Sequence, residues 1–274
     1  MKKRILALAL CILCLTGCSK GNMKDLYNTN TLSKLFKEYS SITLTTTFAD
    51  GSKLTRFYQP NFAFFDFGDK QTVYLSSGCY SYSDERFYTE IFTNEDYSFH
   101  MLKERFTAPV VAQNAKVSTV LESEKDDDTI TYITKPTEAY KKLLYEEYGV
   151  EEGSFKLIYV MEKSTKKLIS EKVVLDGEVF AEIAVTYDLP RPAIADDLYS
   201  RLTAPANQCR TIKVTLDYGS SKQKTVIAHS LKGDGFKLDP PEGYNGAYAN
   251  PYCTKPYASK GSDVDAEIYL MEGR

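Results

Sequence analysis

Apolar and polar residues alternate with a period of two along most of this chain, as in strands that bury one face. Ile42, Leu44 and Phe48 alternate with Thr43, Thr45 and Thr47, and Asp50-Gly51 follows as a hairpin turn that needs positive φ. The return strand runs from Leu54 to Tyr58 and stops at Pro60. Further strand-like runs are Phe62 to Phe67, Thr72 to Leu75, Cys79 to Tyr82, Phe87 to Phe92, Val117 to Leu121 and Thr129 to Ile133. A three-strand meander comes next. Phe155, Leu157, Tyr159 and Met161 share one face of its first strand, which turns at Ser164-Thr165. Leu168 to Leu175 returns, and Asp176-Gly177 leads into Val179 to Tyr187.

Helical spacing is confined to short stretches. Leu32, Leu35, Phe36 and Tyr39 recur at helical intervals, with Asn30 or Thr31 as the N-cap. A second helix is predicted from Pro136 to Tyr148, with proline in its first turn and Gly149 just past its end. Tyr140, Leu143, Leu144 and Tyr148 form its apolar face. A helical turn, Ala193 to Leu202, follows Pro190 and Pro192. After Ala204-Pro205-Ala206 the texture changes. Thr211 to Tyr218 and Lys224 to His229 form a hairpin, residues 232–261 read as loop, and Ala266 to Met271 makes a final strand. Residues 94–116 read as a loop or lid. A boundary is therefore placed near 205, dividing a main domain (30–204) from a C-terminal β/loop segment (205–274). That segment is small enough to need a disulfide or docking to the main sheet.

The first residues are organised differently. Lys2, Lys3 and Arg4 precede the apolar run Ile5 to Leu15, then Gly17, Cys18 and the polar stretch Ser19 to Lys24. A charged head, an apolar run shorter than the roughly 20 residues of a spanning helix, and a small-residue exit describe a secretory signal peptide. Leu15-Thr16-Gly17-Cys18 resembles the lipobox of bacterial lipoproteins. The resemblance implies cleavage after residue 17, diacylglycerol on Cys18, and a lipid anchor on the extracytoplasmic face of a membrane. Residues 18–29 then read as a lipidated tether.

Loss of residues 1–17 leaves about 257 residues, enough for one large domain or a domain with an appendage. The signal takes three positive charges with it, moving the formal charge from −3 to about −6. An acidic chain without a basic cluster excludes nucleic acid as the expected partner. Cys11 and Cys14 leave with the signal and Cys18 carries lipid, so Cys79, Cys209 and Cys253 remain. Cys209 and Cys253 are the preferred disulfide pair, worth about 4 kcal/mol if closed; two buried thiols is the other reading. Cys79 reads as a small buried apolar residue.

Residues 23–203 resemble the LolA/LolB-like superfamily of lipoprotein carriers. The resemblance is carried by the segment Tyr159 to Ile169, by Asp176-Gly177-Glu178-Val179, and by the strand ending at Tyr187. It implies a mainly β fold with short helices: a curved antiparallel sheet, or half-barrel, covered by helices, with an apolar hollow for acyl chains. The alternation agrees in requiring a sheet covered on one side. Two features depart from a carrier that shuttles: the segment 205–274 and the anchor itself.

Residues able to do chemistry are few. His100 and His229 stand far apart in sequence, without Cys or His at metal-ligand spacing. No nucleophile elbow or phosphate loop occurs. Asp126-Asp127-Asp128 and the alternating Asp263, Asp265 and Glu267 match no calcium loop and read as solvated charge. No metal or cofactor is expected, and no catalysis. Tyr244, Tyr248, Tyr252 and Tyr257 cluster in the Gly/Pro-rich stretch and are the candidate contact residues. The function expected is binding of a lipid or other hydrophobic ligand in a concave sheet. The alternative is a cell-surface module that recognises an envelope protein or wall glycan through the C-terminal segment.

Overall fold

The fold is taken from a computed structural model that describes residues 23–75, 78–83, 85–91, 118–150, 152–238, 240, 243–258 and 260–272. The signal segment 1–17, Cys18, His100 and the stretch 94–116 lie outside the described residues. Helices α1 (Lys24–Thr29) and α2 (Leu32–Leu35) open the fold. Strands β1 (Ile42–Phe48), β2 (Lys53–Gln59), β3 (Phe62–Asp66), β4 (Gln71–Leu75), β5 (Gly78–Ser83) and β6 (Arg86–Ile91) follow. β7 (Ser118–Lys125) and β8 (Thr129–Pro136) precede α3 (Glu138–Tyr148). β9 (Phe155–Glu162), β10 (Leu168–Leu175) and β11 (Glu178–Tyr187) precede α4 (Ala193–Leu202). β12 (Cys209–Leu216), β13 (Lys224–Leu231), β14 (Gly235–Leu238), β15 (Tyr244–Tyr248) and β16 (Ala266–Glu272) complete it. The protein is thus mainly β with a few short helices, as the alternation predicts.

The chain divides into two compact units, Met1–Lys53 with Thr107–Asp188, and Leu54–Phe106 with Leu189–Arg274. This differs from a single cut near residue 205. The boundary residues Ala204 to Ala206 look like a linker, but long-range strand pairing, which local composition does not report, decides the division.

In unit 1 six strands run in the order β7-β8-β9-β10-β11-β1, all neighbours antiparallel and β7 unpaired with β1, so they do not close into a barrel. Burial follows the pleat: Phe155, Leu157, Tyr159 and Met161 on β9 are buried while Lys156 is exposed. α3 is capped by the Thr137 hydroxyl, which accepts from Tyr140 N at 3.4 Å, and ends at Gly149 in the left-handed region. Pro136, expected inside this helix, is the last residue of β8, opposite Ser118.

Residues 24–29, expected as tether, are helical. Met23, at the N-cap, and Leu26 are buried, so these two residues belong to the core. Asn30 holds α1 in place. Its Nδ2 donates to Leu26 O (2.9 Å) and Lys166 O (3.0 Å), and its Oδ1 accepts from Leu168 N (2.7 Å). Asn30→Ala takes these side-chain partners from Lys166 O and Leu168 N, while Leu26 O keeps the Asn30 backbone N–H, and is expected to cost about 2–3 kcal/mol. Urea unfolding followed by circular dichroism checks it; a loss under 0.5 kcal/mol would show that the latch is not needed.

In unit 2 six strands run β2-β3-β4-β5-β6-β14, and four more form a sheet in the order β13-β12-β16-β15. α4 covers the first set, placing Ala195 and Leu198 against Phe57, Phe62, Phe64, Val73 and Tyr80. The 232–261 stretch, expected as loop, supplies two strands. β14 lies parallel to β6, and its Phe236 enters the core of the four-stranded sheet beside Ile212, Val214, Leu216, Ile268 and Leu270. Gly235 permits this approach, since a Cβ there would stand 2.7 Å from the Tyr88 ring. β16 also pairs in parallel, with β12.

Candidate functional site

Strand register in unit 1 gathers one row of side chains across the buried face of the sheet. Directly opposed positions share a face, and the pairs Ser123–Tyr132, Tyr132–Tyr159, Tyr159–Glu171, Glu171–Ile183 and Ile183–Thr46 carry the row from β7 to β1. The rows on either side are largely apolar. One runs Leu157, Val173, Ala181, and the other holds Ile130 and Met161 with Val185 and Leu44. Glu171 therefore sits inside an apolar and aromatic face, 4% exposed, and Thr46 lies across β11 from it, 1% exposed. Thr46 Oγ1 has no hydrogen-bond partner among the described residues. At a strand spacing of about 4.8 Å, two strands separate these polar groups by roughly 10 Å.

Helices close the two ends of this face. Tyr145 of α3 stacks on Phe155 at 5.5 Å and donates its hydroxyl to Gly153 O at 2.8 Å. At the other end Asn30, between α1 and α2, holds Leu168, and Tyr39 packs on Tyr187 at 4.6 Å. Lys167 lies 5.0 Å and 5.3 Å from the Tyr39 and Tyr187 ring centroids, 3.5 Å from Glu162. Burial, followed by the nearby Tyr39 and Glu162, pushes the Tyr187 phenol well above its usual range. The polar row, with the buried Glu171 and Thr46, lies between these two ends.

Unit 2 holds a second polar cluster. Tyr80, buried, donates its hydroxyl to Asp234, which also binds Arg201 Nη1 at 2.7 Å. Arg201 in turn reaches Asp197 at 3.2 Å and lies over the Phe87 ring at 3.5 Å. The buried Arg210 donates to Asp234 O and Val264 O. These contacts fasten α4, β5 and β14 together.

The candidate tyrosines do not share one surface. Tyr244 and Tyr257 pack against the core of the four-stranded sheet, and Tyr244 donates its hydroxyl to Asp217 at 2.8 Å. Tyr248 pairs with Tyr269 and bridges Pro256, while Tyr252 alone of the four is largely exposed, at 79%. Cys209 and Cys253 are free thiols, against the expected bridge. The Cys209 thiol turns to Ala204 O at 3.7 Å, and Cys253 has positive φ in the tight Asn250–Lys255 loop. Cys79 is fully buried, as its strand-like run suggests.

Asp126 to Asp128 form the exposed β7–β8 turn. Asp265 accepts from Thr211 N, and Glu267 pairs with Lys213 and Tyr269. His229 is exposed on β13. Among the described residues no three His, Cys, Asp or Glu side chains could hold a metal ion, and no helix is long and apolar enough to cross a membrane.

Several phenols titrate late. Burial and the Asp217 carboxylate push Tyr244 up to about 12, and the hydrogen bond to Glu267, with burial, does the same to Tyr269. A raised phenol binds its proton more tightly in the fold than in the unfolded chain, which ionises near pH 10. Its contribution is whole below pH 10 and is lost as pH rises toward about 12. Absorbance at the phenolate band should show a late-titrating group of tyrosines that merges with the rest on unfolding; a single ordinary titration would contradict it.

The fold and site define a mainly β protein with short helices at the ends of a largely apolar sheet face that holds the buried Glu171 and Thr46. No family model and no curated protein matches the chain. Solved structures similar to it include the lipoprotein LppX of Mycobacterium tuberculosis (11% identity, TM-score 0.39, covering 63% of this chain and 99% of that one). LprF of Mycobacterium bovis is similar at 11% identity and TM-score 0.38, over 64% and 97% of the two chains. A LolA-superfamily protein of Nitrosomonas europaea follows at 9% and 0.21, over 59% and 95%.

Proposed function

We propose that this chain is a non-catalytic, extracytoplasmic lipoprotein, anchored through Cys18, that binds an amphiphile against the buried sheet face of unit 1. One observation carries the binding reading: the Thr46 hydroxyl is enclosed in an otherwise apolar face with no hydrogen-bond partner among the described residues. A core built only for stability gains nothing from such groups, because burying a polar group without a partner costs roughly 1–3 kcal/mol. An apolar body lying along the Leu157 and Met161 rows, with a hydroxyl at the polar row, gives the Thr46 hydroxyl a partner. An ionised head group is costly to bury in an apolar face, so the ligand class is a neutral lipid. The anchor rests on the lipobox-like Leu15 to Cys18 and the signal-like residues before it.

The test uses the chain beginning at Ser19, folded by circular dichroism, with a fluorescent monoacylglycerol as probe. Saturable binding is expected. Thr46→Val should weaken it about fivefold, the size of one ordinary hydrogen bond, and a fatty acid of equal length should compete poorly. A folded chain that binds neither probe, and yields no lipid on extraction from the native envelope, overturns the reading.

A further inference from the structure

We infer that the free edge of β13 is a surface for a second copy of this chain, the two β13 strands pairing antiparallel about a twofold axis at Ile227. The inference concerns unit 2 alone and does not depend on what unit 1 binds. An edge strand presents a row of backbone N–H and C=O groups that invites another strand, and folds ordinarily blunt such edges with charges, bulges, prolines or a covering segment. Two other edges of this protein are blunted in that way. β7 is interrupted by an irregularity between Val120 and Glu122 and carries Glu122, Glu124 and Lys125. β15 is covered by the chain that follows it: Tyr257 N donates to Ala247 O at 2.9 Å, Ala249 N donates to Lys255 O at 2.8 Å, and Tyr248 bridges Pro256.

β13 has none of these devices. It runs eight residues in unbroken register with β12, from Lys224 opposite Leu216 to Leu231 opposite Cys209. Among the described strands it pairs with β12 alone. Its middle, Thr225 to His229, holds no proline, acidic residue, lysine or arginine, and begins with three β-branched residues in a row. Ile227 turns away from the core and is 62% exposed, and Thr225 and His229 beside it are exposed too. Only the last part of the strand is closed off, at the buried Ser230.

The edge is complementary to itself, and this selects the second copy as its occupant. Directly opposed residues of antiparallel strands share a face. With Ile227 opposite its own counterpart, Val226 meets Ala228, Thr225 meets His229 and Lys224 meets Ser230, so no like charges are opposed within the strand. The exposed Ile227 side chains then bury each other. Val226 and Ala228 already pack on the core of Ile212, Val214 and Ile268, and across the axis they join that core to its copy. Lys222 and Lys232, which flank the strand, are held by Glu272 at 3.8 Å and by Asn207 O at 3.0 Å. The contact is smaller than the roughly 1,200 Å² of a stable interface, so the dimer is weak and forms where the chain is concentrated.

Sedimentation velocity on the chain beginning at Ser19, from about 5 to about 500 μM, covers the range in which so small a contact associates. The unaltered chain should pass from monomer toward dimer, and amide exchange within 224–229 should slow over the same range. Ile227→Lys and Ile227→Glu each set like charges in direct opposition and should raise the dissociation constant at least tenfold. Their urea midpoints should match that of the unaltered chain, because the side chain is exposed. An equal mixture of the two variants should restore association, since opposite charges then meet at the axis. An unaltered chain that stays monomeric to the highest concentration overturns the inference and leaves the edge to a strand from another protein. A dimer that both variants leave intact uses another surface and also refutes it. A mixture that associates no better than its components shows that the strands do not meet at Ile227, and the twofold pairing fails.

Discussion

Truncation after Thr203 is expected to destabilise what remains of unit 2 by about 5 kcal/mol or more, not to release an independent appendage. The remaining part, β2 to β6 with α4, keeps its own core of Phe57, Phe62, Phe64, Val73, Ala195 and Leu198. It loses three things at once. β6 loses the β14 ladder along Tyr88 to Ile91. The buried Tyr80 hydroxyl loses its acceptor, and Arg201 loses the better buried of its two carboxylates. An orphaned buried donor costs roughly 1–3 kcal/mol and a broken buried ion pair roughly 3–5. For a unit of this size 5 kcal/mol lowers the thermal midpoint by about 10–20 °C. Scanning calorimetry with limited proteolysis reads the result: early cleavage within 54–91 and slow cleavage within 155–187. A truncated chain with the midpoint and cleavage pattern of the full protein would mean that 205–274 is a separate module.

Local alternation located nearly every strand, because a two-residue period depends only on which neighbours are apolar. β1 and the β9–β11 meander are the clearest cases, with an Asp-Gly pair after β1 and another between β10 and β11. What pairs with what across long gaps was not legible. β14 was hidden in a Gly-rich stretch because its four residues carry only two apolar side chains, Phe236 and Leu238, and its partner β6 lies more than a hundred residues earlier. The apolar residues of α1 were missed for a related reason: six residues are too few for a period to stand out.

Glu171 shows why the site was harder to read than the fold. Strict alternation from the buried Leu168 would place Ser170, Lys172 and Val174 inside and Glu171 outside. An irregularity between Leu168 and Ser170 inserts one residue, leaves Ile169 exposed, and turns Glu171 inward. A second shift, between Val173 and Val174, lets both valines be buried. A one-residue offset moves a side chain from solvent to core, and no composition rule announces it. The only hint in the sequence was Tyr159 and Tyr132 at inward positions, whose hydroxyls need polar company when enclosed.

Asp234→Ala is the single substitution expected to cost most, about 3–5 kcal/mol. Gly233-Asp234-Gly235 looks like a plain turn in the sequence, yet its carboxylate is the acceptor shared by Tyr80 and Arg201. Tyr80 is 1% exposed, and burial followed by the Asp234 hydrogen bond pushes its phenol far above the ordinary range. Removing the carboxylate strands a donor in the core beside Phe57 and Val73 and leaves Arg201 with only the more exposed Asp197. Two further variants distinguish a shared acceptor from simple loss of packing. Tyr80→Phe removes the stranded donor and should cost only about 1–2 kcal/mol, since Asp234 keeps Arg201. The double variant Tyr80→Phe, Asp234→Ala should then cost less than the sum of the two by 1 kcal/mol or more, because the phenol no longer needs an acceptor. Urea unfolding followed by tyrosine fluorescence suits a chain with 21 tyrosines and no tryptophan. Strict additivity would show that Tyr80 and Asp234 contribute independently, and the polar bond between β5 and the β13–β14 turn would then not be what holds β14 against β6.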